Sequence, residues 1–282
     1  MTIPEVLRFR LAGAIVAIVI QLTACRLETP SIGASHRDGQ WIWSAADSSL
    51  FAEREAGDSV LGGVWVATIR PGPTGDSLQQ TLALPPSTGG AGPIAAVVRI
   101  DAATHPWWAG RSDADAARQF DRRLAALLRH VDATGIHVAE IQLDYDCPMR
   151  LLPRWASVLR HLRESALAGR ELWITSLVAH QRDPDFGRRL RGVVAGQIVQ
   201  LFDTGNRAGT EALSELETLT ARQGLPFRIG LGAFERRLPD GRSTGHLLWF
   251  DAVGRFRSWQ GFRGLWVFPA GQPYTRPLEG KR

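Results

Sequence analysis

Lysine is all but absent from this chain. Of its 33 basic residues only Lys281, in the tail, is a lysine. Schiff-base aldolases and pyridoxal enzymes need a lysine amine inside the fold, so both chemistries are excluded. Cysteine is scarce too, with only Cys25 and Cys147. Cys25 is claimed by the export signal described below, which leaves Cys147 alone, so the mature chain can form no internal disulfide and must draw its stability from its core. Cys147 stands beside Asp144 and Asp146, which would raise its thiol pKa and oppose a nucleophilic role; buried packing is the expectation. The seven histidines are scattered, without His-x-His or His-Glu-x-x-His. The sequence therefore calls for no metal and no other cofactor. Basic runs are missing as well. The net charge is +5, yet nothing exceeds pairs such as Arg122-Arg123 and Arg188-Arg189, so no nucleic-acid partner is expected.

What is present begins with an export signal. Arg8 and Arg10 precede the apolar run Leu11 to Ile20, too short to span a bilayer, and Leu22-Thr23-Ala24-Cys25 resembles a bacterial lipobox. The resemblance implies cleavage before Cys25, acylation of that cysteine and a membrane partner reached through the lipid anchor. Arg26 stands where an inner-membrane retention Asp would be, which points to the outer membrane of the cell envelope. Residues 1–25 are thus read as signal peptide and lipobox, 26–38 as a tether, 39–275 as the folded domain and 276–282 as a tail.

Within the domain, Val138 to Pro148 alternates cleanly. Ala139, Ile141, Leu143 and Tyr145 share one face; Glu140, Gln142, Asp144 and Asp146 share the other. Helical patterns at 113–133 and 150–168 flank this strand, as expected in a parallel sheet covered on its apolar side. A polar row on the opposite side suggests a barrel interior. Seven further strand candidates are Gln40 to Ser44, Gly63 to Arg70, Ile94 to Asp101, Glu171 to Val178, Gln197 to Asp203, Phe227 to Glu235 and Gly264 to Phe268. Further helices are expected at 184–192 and 207–223. Eight strands alternating with helices predict an α/β fold, an irregular (β/α)8 TIM-like barrel. A doubly wound sheet is the alternative, but no Gly-rich turn follows the first strand. Irregularity lies at two places. Pro71 to Pro93 is loop-like, with an extended piece near Leu82, and no normal helix can follow strand eight. The 236–260 segment, or a partner, is expected to cover the outer faces of strands eight and one.

Barrel enzymes keep their chemistry at the C-terminal ends of the strands. Those ends collect Asp144, Asp146, Glu235 and Asp203 as candidate catalytic carboxylates, and Trp43, Arg99, Asp101, Thr175, His180 and Gln200 as candidate substrate-binding residues. Carboxylates with rim aromatics suit a carbohydrate or glycan ligand. Two like charges on neighbouring inward positions should push one pKa up, so that an acid and a base coexist at one pH. Arg99 is expected within salt-bridge reach of one of the pair.

Trp41-Ile-Trp43, Val98-Arg-Ile-Asp101, Ile141-Gln-Leu-Asp-Tyr-Asp-Cys-Pro148, Leu172-Trp-Ile-Thr-Ser-Leu177 and Val199-Gln-Leu-Phe202 together resemble the bacterial domain-of-unknown-function family numbered 3142, over about residues 40 to 270. The resemblance implies a barrel related to glycoside hydrolases, with no assigned reaction. The Asp-x-Asp of strand four is also similar to family 18 glycoside hydrolases, whose motif places the acid Glu two residues later, where this chain has Pro148. Glu235 paired with Asp146, or Asp203 as in alpha-galactosidase-like barrels, could supply the missing group. The expected function is a lipid-anchored glycosidase; the alternative is a non-catalytic barrel that binds a glycan or a protein.

Overall fold

The computed structural model describes residues 36–53, 60–201, 210–234 and 247–270. Its strands are β1 (Gly39–Ile42), β2 (Leu61–Pro71), β3 (Leu78–Leu82), β4 (Ile94–Ile100), β5 (Val138–Asp144), β6 (Leu172–Leu177), β7 (Gly196–Gln200), β8 (Phe227–Gly232) and β9 (Phe262–Phe268). They form one sheet in the order β1-β9-β8-β7-β6-β5-β4-β2-β3, and β1 pairs with β2 as well. All neighbours are parallel except β3, which runs antiparallel to β2 from Ala67↔Leu82 to Pro71↔Leu78. Eight strands thus close into a parallel barrel, and β3 is an addition. Because β1 pairs with β2 only from Gly39↔Leu61 to Ile42↔Val64, β3 occupies the same edge above the point where β1 stops. The eight expected strands correspond to β1, β2 and β4 to β9, and the extended piece near Leu82 is β3.

The helices are α1 (Ala45–Ala52), α2 (Thr104–Trp107), α3 (Asp113–Asp132), α4 (Leu152–Glu164), α5 (Val178–Gln181), α6 (Phe186–Leu190), α7 (Thr210–Gln223), α8 (Leu247–Asp251) and α9 (Val253–Phe256). In α3, Phe120, Leu124, Leu127 and Val131 are buried, and in α4 so are Trp155, Val158, Leu159 and Leu162. Both stripes follow the 3.6-residue period of a helix laid on a sheet. Ser112 caps α3 by accepting the amide of Asp115 at 3.1 Å. The chain leaves α3 and α4 through Gly135 and Gly169, both at φ 75°, where a side chain would be strained.

The barrel interior follows the parity of each strand. Glu140 and Gln142 on β5 are buried, as are Trp41, Trp173, Arg228 and Trp266. Large rings are seated over residues without side chains. A Cβ built at Gly39 or Gly63 would stand 2.4 Å from the Trp266 ring, and one at Gly196 would stand 2.4 Å from Trp173. Alternating large and absent side chains lets the narrow interior fill without voids. Two charges are enclosed there. Arg228 Nη1 and Nη2 donate to Glu140 Oε1 and Oε2 at 2.6 and 2.9 Å. The guanidinium also lies 3.6 Å from the Trp173 centroid and 5.5 Å from that of Trp266. A fork-shaped pair between aromatic faces offsets the desolvation that a buried ion pair otherwise suffers.

Some expectations need correction. Strand one stops at Ile42 rather than Ser44, because Ser44 turns the chain into α1, a helix absent from the sequence reading. Ser44 Oγ accepts the amide of Asp47 at 3.2 Å while the Asp47 carboxylate accepts the amide of Trp43 at 3.0 Å. Strand β6 ends at Leu177, where α5 begins. The segment expected to cover strands eight and one does so in part. Trp249, Phe256 and Trp259, on and beside α8 and α9, pack with Phe227, Ile229, Leu265 and Val267 of β8 and β9. Strand β1 is instead covered by α1: Gln40 Nε2 donates to the Asp47 carbonyl at 3.3 Å. Residues 236–246 and 272–282 lie outside the described residues.

Candidate functional site

Strand β5 delivers Asp144 to the mouth of the barrel, half-buried. Its Oδ1 accepts the Thr175 hydroxyl at 3.0 Å and Gln200 Nε2 at 3.1 Å. Thr175, inward on β6, also accepts the amide of Tyr145 at 3.0 Å and so fixes the turn that follows β5. Burial pushes the Asp144 carboxyl up from 3.8 to about 6, and the charge of Asp146 adds to the rise. The Thr175 and Gln200 bonds and the positive charge of Arg99 oppose it without reversing it. Asp146, two residues on, is exposed.

Around this pair, Trp41, Trp43, Arg99, Gln200 and Phe268 enclose a pocket of about 160 Å3. All come from C-terminal strand ends or the residues just past them. The Trp43 ring stacks on Trp65 at 5.0 Å and 26° and meets Phe268 at 5.7 Å, while the Arg99 guanidinium lies 5.4 Å from its centroid. Trp41 donates its indole N–H to Gln142 Oε1 at 2.8 Å, which locks the floor of the pocket. The site therefore offers aromatic faces, one exposed carboxylate, one carboxyl with a raised pKa and a guanidinium. That set can grip a polyhydroxylated ring and exchange protons with it.

The sequence brought Asp144, Asp146, Trp43, Arg99 and Gln200 to one place, and the structure assembles all five. It corrects the roles of others. Arg99 shares the pocket but makes no ion pair with either aspartate; its partner is the face of Trp43. Thr175 is buried behind Asp144 and acts as a strut. His180 is buried away from the pocket. Its Nδ1 accepts the amide of Leu177 at 3.2 Å and its Nε2 lies 2.7 Å from the Cys147 carbonyl, so it braces the loop after β5. Burial holds its imidazole below the usual range. Asp101 bonds the Ala103 amide at 2.8 Å, capping its own turn, and lines a neighbouring groove. Cys147 is buried, and burial pushes its thiol up, in keeping with a packing role. Asp203, Glu235 and Cys25 lie outside the described residues. Trp41 and Phe268 escaped the sequence reading as site residues. Parity with Trp43 was the available signal for Trp41, and the last position of its strand for Phe268.

A closed parallel barrel with carboxylates and tryptophans at its mouth has the fold of the glycoside-hydrolase-like TIM barrels. A chitinase from Chromobacterium violaceum ATCC 12472 superposes with a TM-score of 0.63 at 12% identity, over 86% of this chain and 96% of its own. The family 18 chitinase of Crocus vernus gives 0.58 at 10% identity, over 86% and 95%. The GH18 chitinase ChiB from the chitin utilization locus of Flavobacterium johnsoniae gives 0.59 at 11%, over 87% and 92%. At such identities the likeness is one of fold. The chain belongs to the family described as Domain of unknown function (DUF3142), whose model matches residues 91–247. No curated protein matches it.

Proposed function

We propose that this barrel binds a sugar of an envelope or external polysaccharide at its mouth and hydrolyses the adjoining glycosidic bond, while a lipid on Cys25 holds it at the outer membrane. The observation that carries the reading is the unlike pair of carboxyl groups in one aromatic pocket. Asp144, with its pKa raised to about 6, is protonated in mildly acidic medium; Asp146, exposed, stands beside it. Asp144 gives its proton to the leaving glycosidic oxygen as the bond to the anomeric carbon breaks. A water adds to that carbon and passes its proton to Asp146. A second reading, binding without hydrolysis, has one observation in its favour: Pro148 stands where family 18 enzymes carry their acid. Glu235 and Asp203, which follow β8 and β7 in sequence, are the other carboxylates that could serve.

The test is release of reducing ends from a glycan panel by the full chain, beside Asp144→Asn, Asp146→Asn, Glu235→Gln and Asp203→Asn. We expect the first two to lose at least a hundredfold in rate while still binding. Wild-type activity should fall as pH rises through about 6, where Asp144 loses its proton. Binding with no product from any form would establish the second reading; neither binding nor product would overturn both. For the anchor, wild-type protein should sediment with membranes and Cys25→Ser should not. Wild-type protein found wholly in the soluble periplasm would end that part of the proposal.

A further inference from the structure

Beside the mouth pocket runs a larger groove, of about 500 Å3, between the upper half of β2, strand β3 and the end of β4. Trp65, Thr68, Arg70, Leu82, Arg99 and Asp101 are among its walls. Arg99 lines both spaces, so the groove continues the pocket rather than standing apart from it. Strand pairing sets its two cations close together. Thr68 of β2 is in register with Arg99 of β4, and Arg70 lies two residues further along the same face of β2.

Both arginines are exposed, and among the described residues neither has an ion pair or a hydrogen bond. Elsewhere Arg154, Arg189, Arg228 and Arg255 are each engaged by a carboxylate. The single carboxylate of the groove, Asp101, already accepts the Ala103 amide with Oδ1. Within the groove's own lining two guanidinium groups thus meet one partly engaged carboxylate, and Arg70 is the one that is not shared with the aspartates of the mouth pocket. The groove's apolar wall includes Trp65, whose indole N–H donates to the Thr68 hydroxyl at 3.2 Å and so fixes the ring beside the arginines. The Trp65 ring, stacked on Trp43, and two arginines free of carboxylate partners suit a ligand that has an apolar ring face and a carboxylate edge. Arginine offers a planar fork that matches a carboxylate with two parallel bonds.

We infer that the groove takes an acidic saccharide: the sugar next to the one in the mouth pocket is of uronic-acid type, and Arg70 and Arg99 hold its carboxylate. This rests on the mouth being a sugar site. The test measures calorimetric binding of trigalacturonate and of the neutral trimer chitotriose to the full chain in detergent, in an Asp146→Asn background that removes turnover. The expected result is at least tenfold tighter binding of the acidic trimer. Arg70→Gln should abolish that preference while leaving the affinity for the neutral trimer and the melting temperature unchanged. Equal affinities, or a preference that survives Arg70→Gln, would overturn the inference and leave the mouth reading standing. Failure of both trimers to bind would overturn the two together. Inorganic sulfate is the control at matched ionic strength. Displacement of trigalacturonate by sulfate as effective as by monomeric galacturonate would mark a general anion site and count against a saccharide.

Discussion

At the residue scale, Asp144 and Asp146 are the same side chain in two surroundings, and the difference has a measurable consequence beyond catalysis. The folded chain holds a proton on Asp144 up to about pH 6, whereas the unfolded chain releases it near 3.8. Between those values folding takes up a proton, so stability falls as pH rises through the window, and the cost is complete above it. Asparagine at this position can still accept from Thr175 and Gln200. Asp144→Asn should therefore be more stable than wild type at pH 7.5, by roughly 3 kcal/mol, and no more stable at pH 4. Thermal unfolding of both forms across that range checks this; an offset that does not change with pH would contradict the assigned surroundings. Period-two alternation made this residue legible, because it placed Asp144 and Asp146 inward without any knowledge of the rest. That His180 stands apart from the pocket was not legible, because strand-end position does not reveal whether a polar group meets solvent or the nearest backbone. That depends on distances across the fold, such as the 2.7 Å from His180 to the Cys147 carbonyl.

At the scale of elements, the glycines of the barrel strands are as informative as the aromatic residues. Gly230, on β8, has the Trp41 ring over it, and a Cβ there would stand 2.9 Å from Cη2. Trp41 in turn forms part of the pocket lining. Gly230→Ala should push that ring toward the mouth, costing about 1 to 3 kcal/mol in stability. It should also weaken sugar binding at least tenfold more than Gly254→Ala, where a Cβ would meet nothing within 4 Å. Equal, unaffected binding in both variants would show that the ring has room to yield. A glycine inside an apolar strand is the sequence signal of such a close approach. The short helices α1 and α2 were not legible in the sequence. Both are too short to show a helical period, and α1 rests on the Ser44–Asp47 cap, which stabilises a turn directly after a strand. The Arg228–Glu140 pair was invisible for another reason: its members are 88 residues apart.

At the scale of the whole molecule, the ring closes on its shortest strand. Strand β1 has four residues, and its register with β9 consists of Gly39↔Trp266 and Gln40↔Val267. By contrast, β4 and β5 pair from Ile94↔Val138 to Arg99↔Asp144. Local opening follows the line where fewest bonds must break. Backbone amides of residues 39–43 should therefore exchange with deuterium at least ten times faster than those of 138–144. Mass spectrometry of peptic fragments would show it, and equal protection would argue for a seam as firm as the rest. The alternation of eight strands with helices made the closed barrel legible. The weak line did not show, because an apolar run does not disclose how many of its residues find partners. The seam also sets a clock. The first strand has its partner on β9 only once residues 262–268 exist, and at typical synthesis rates that is roughly ten to forty seconds after Trp41 and Trp43 are made. Throughout that interval two tryptophans wait at the leading end of the chain without the ring that will enclose them. Until then β2, with which β1 pairs from Gly39↔Leu61 to Ile42↔Val64, is the only neighbouring strand the first one can have.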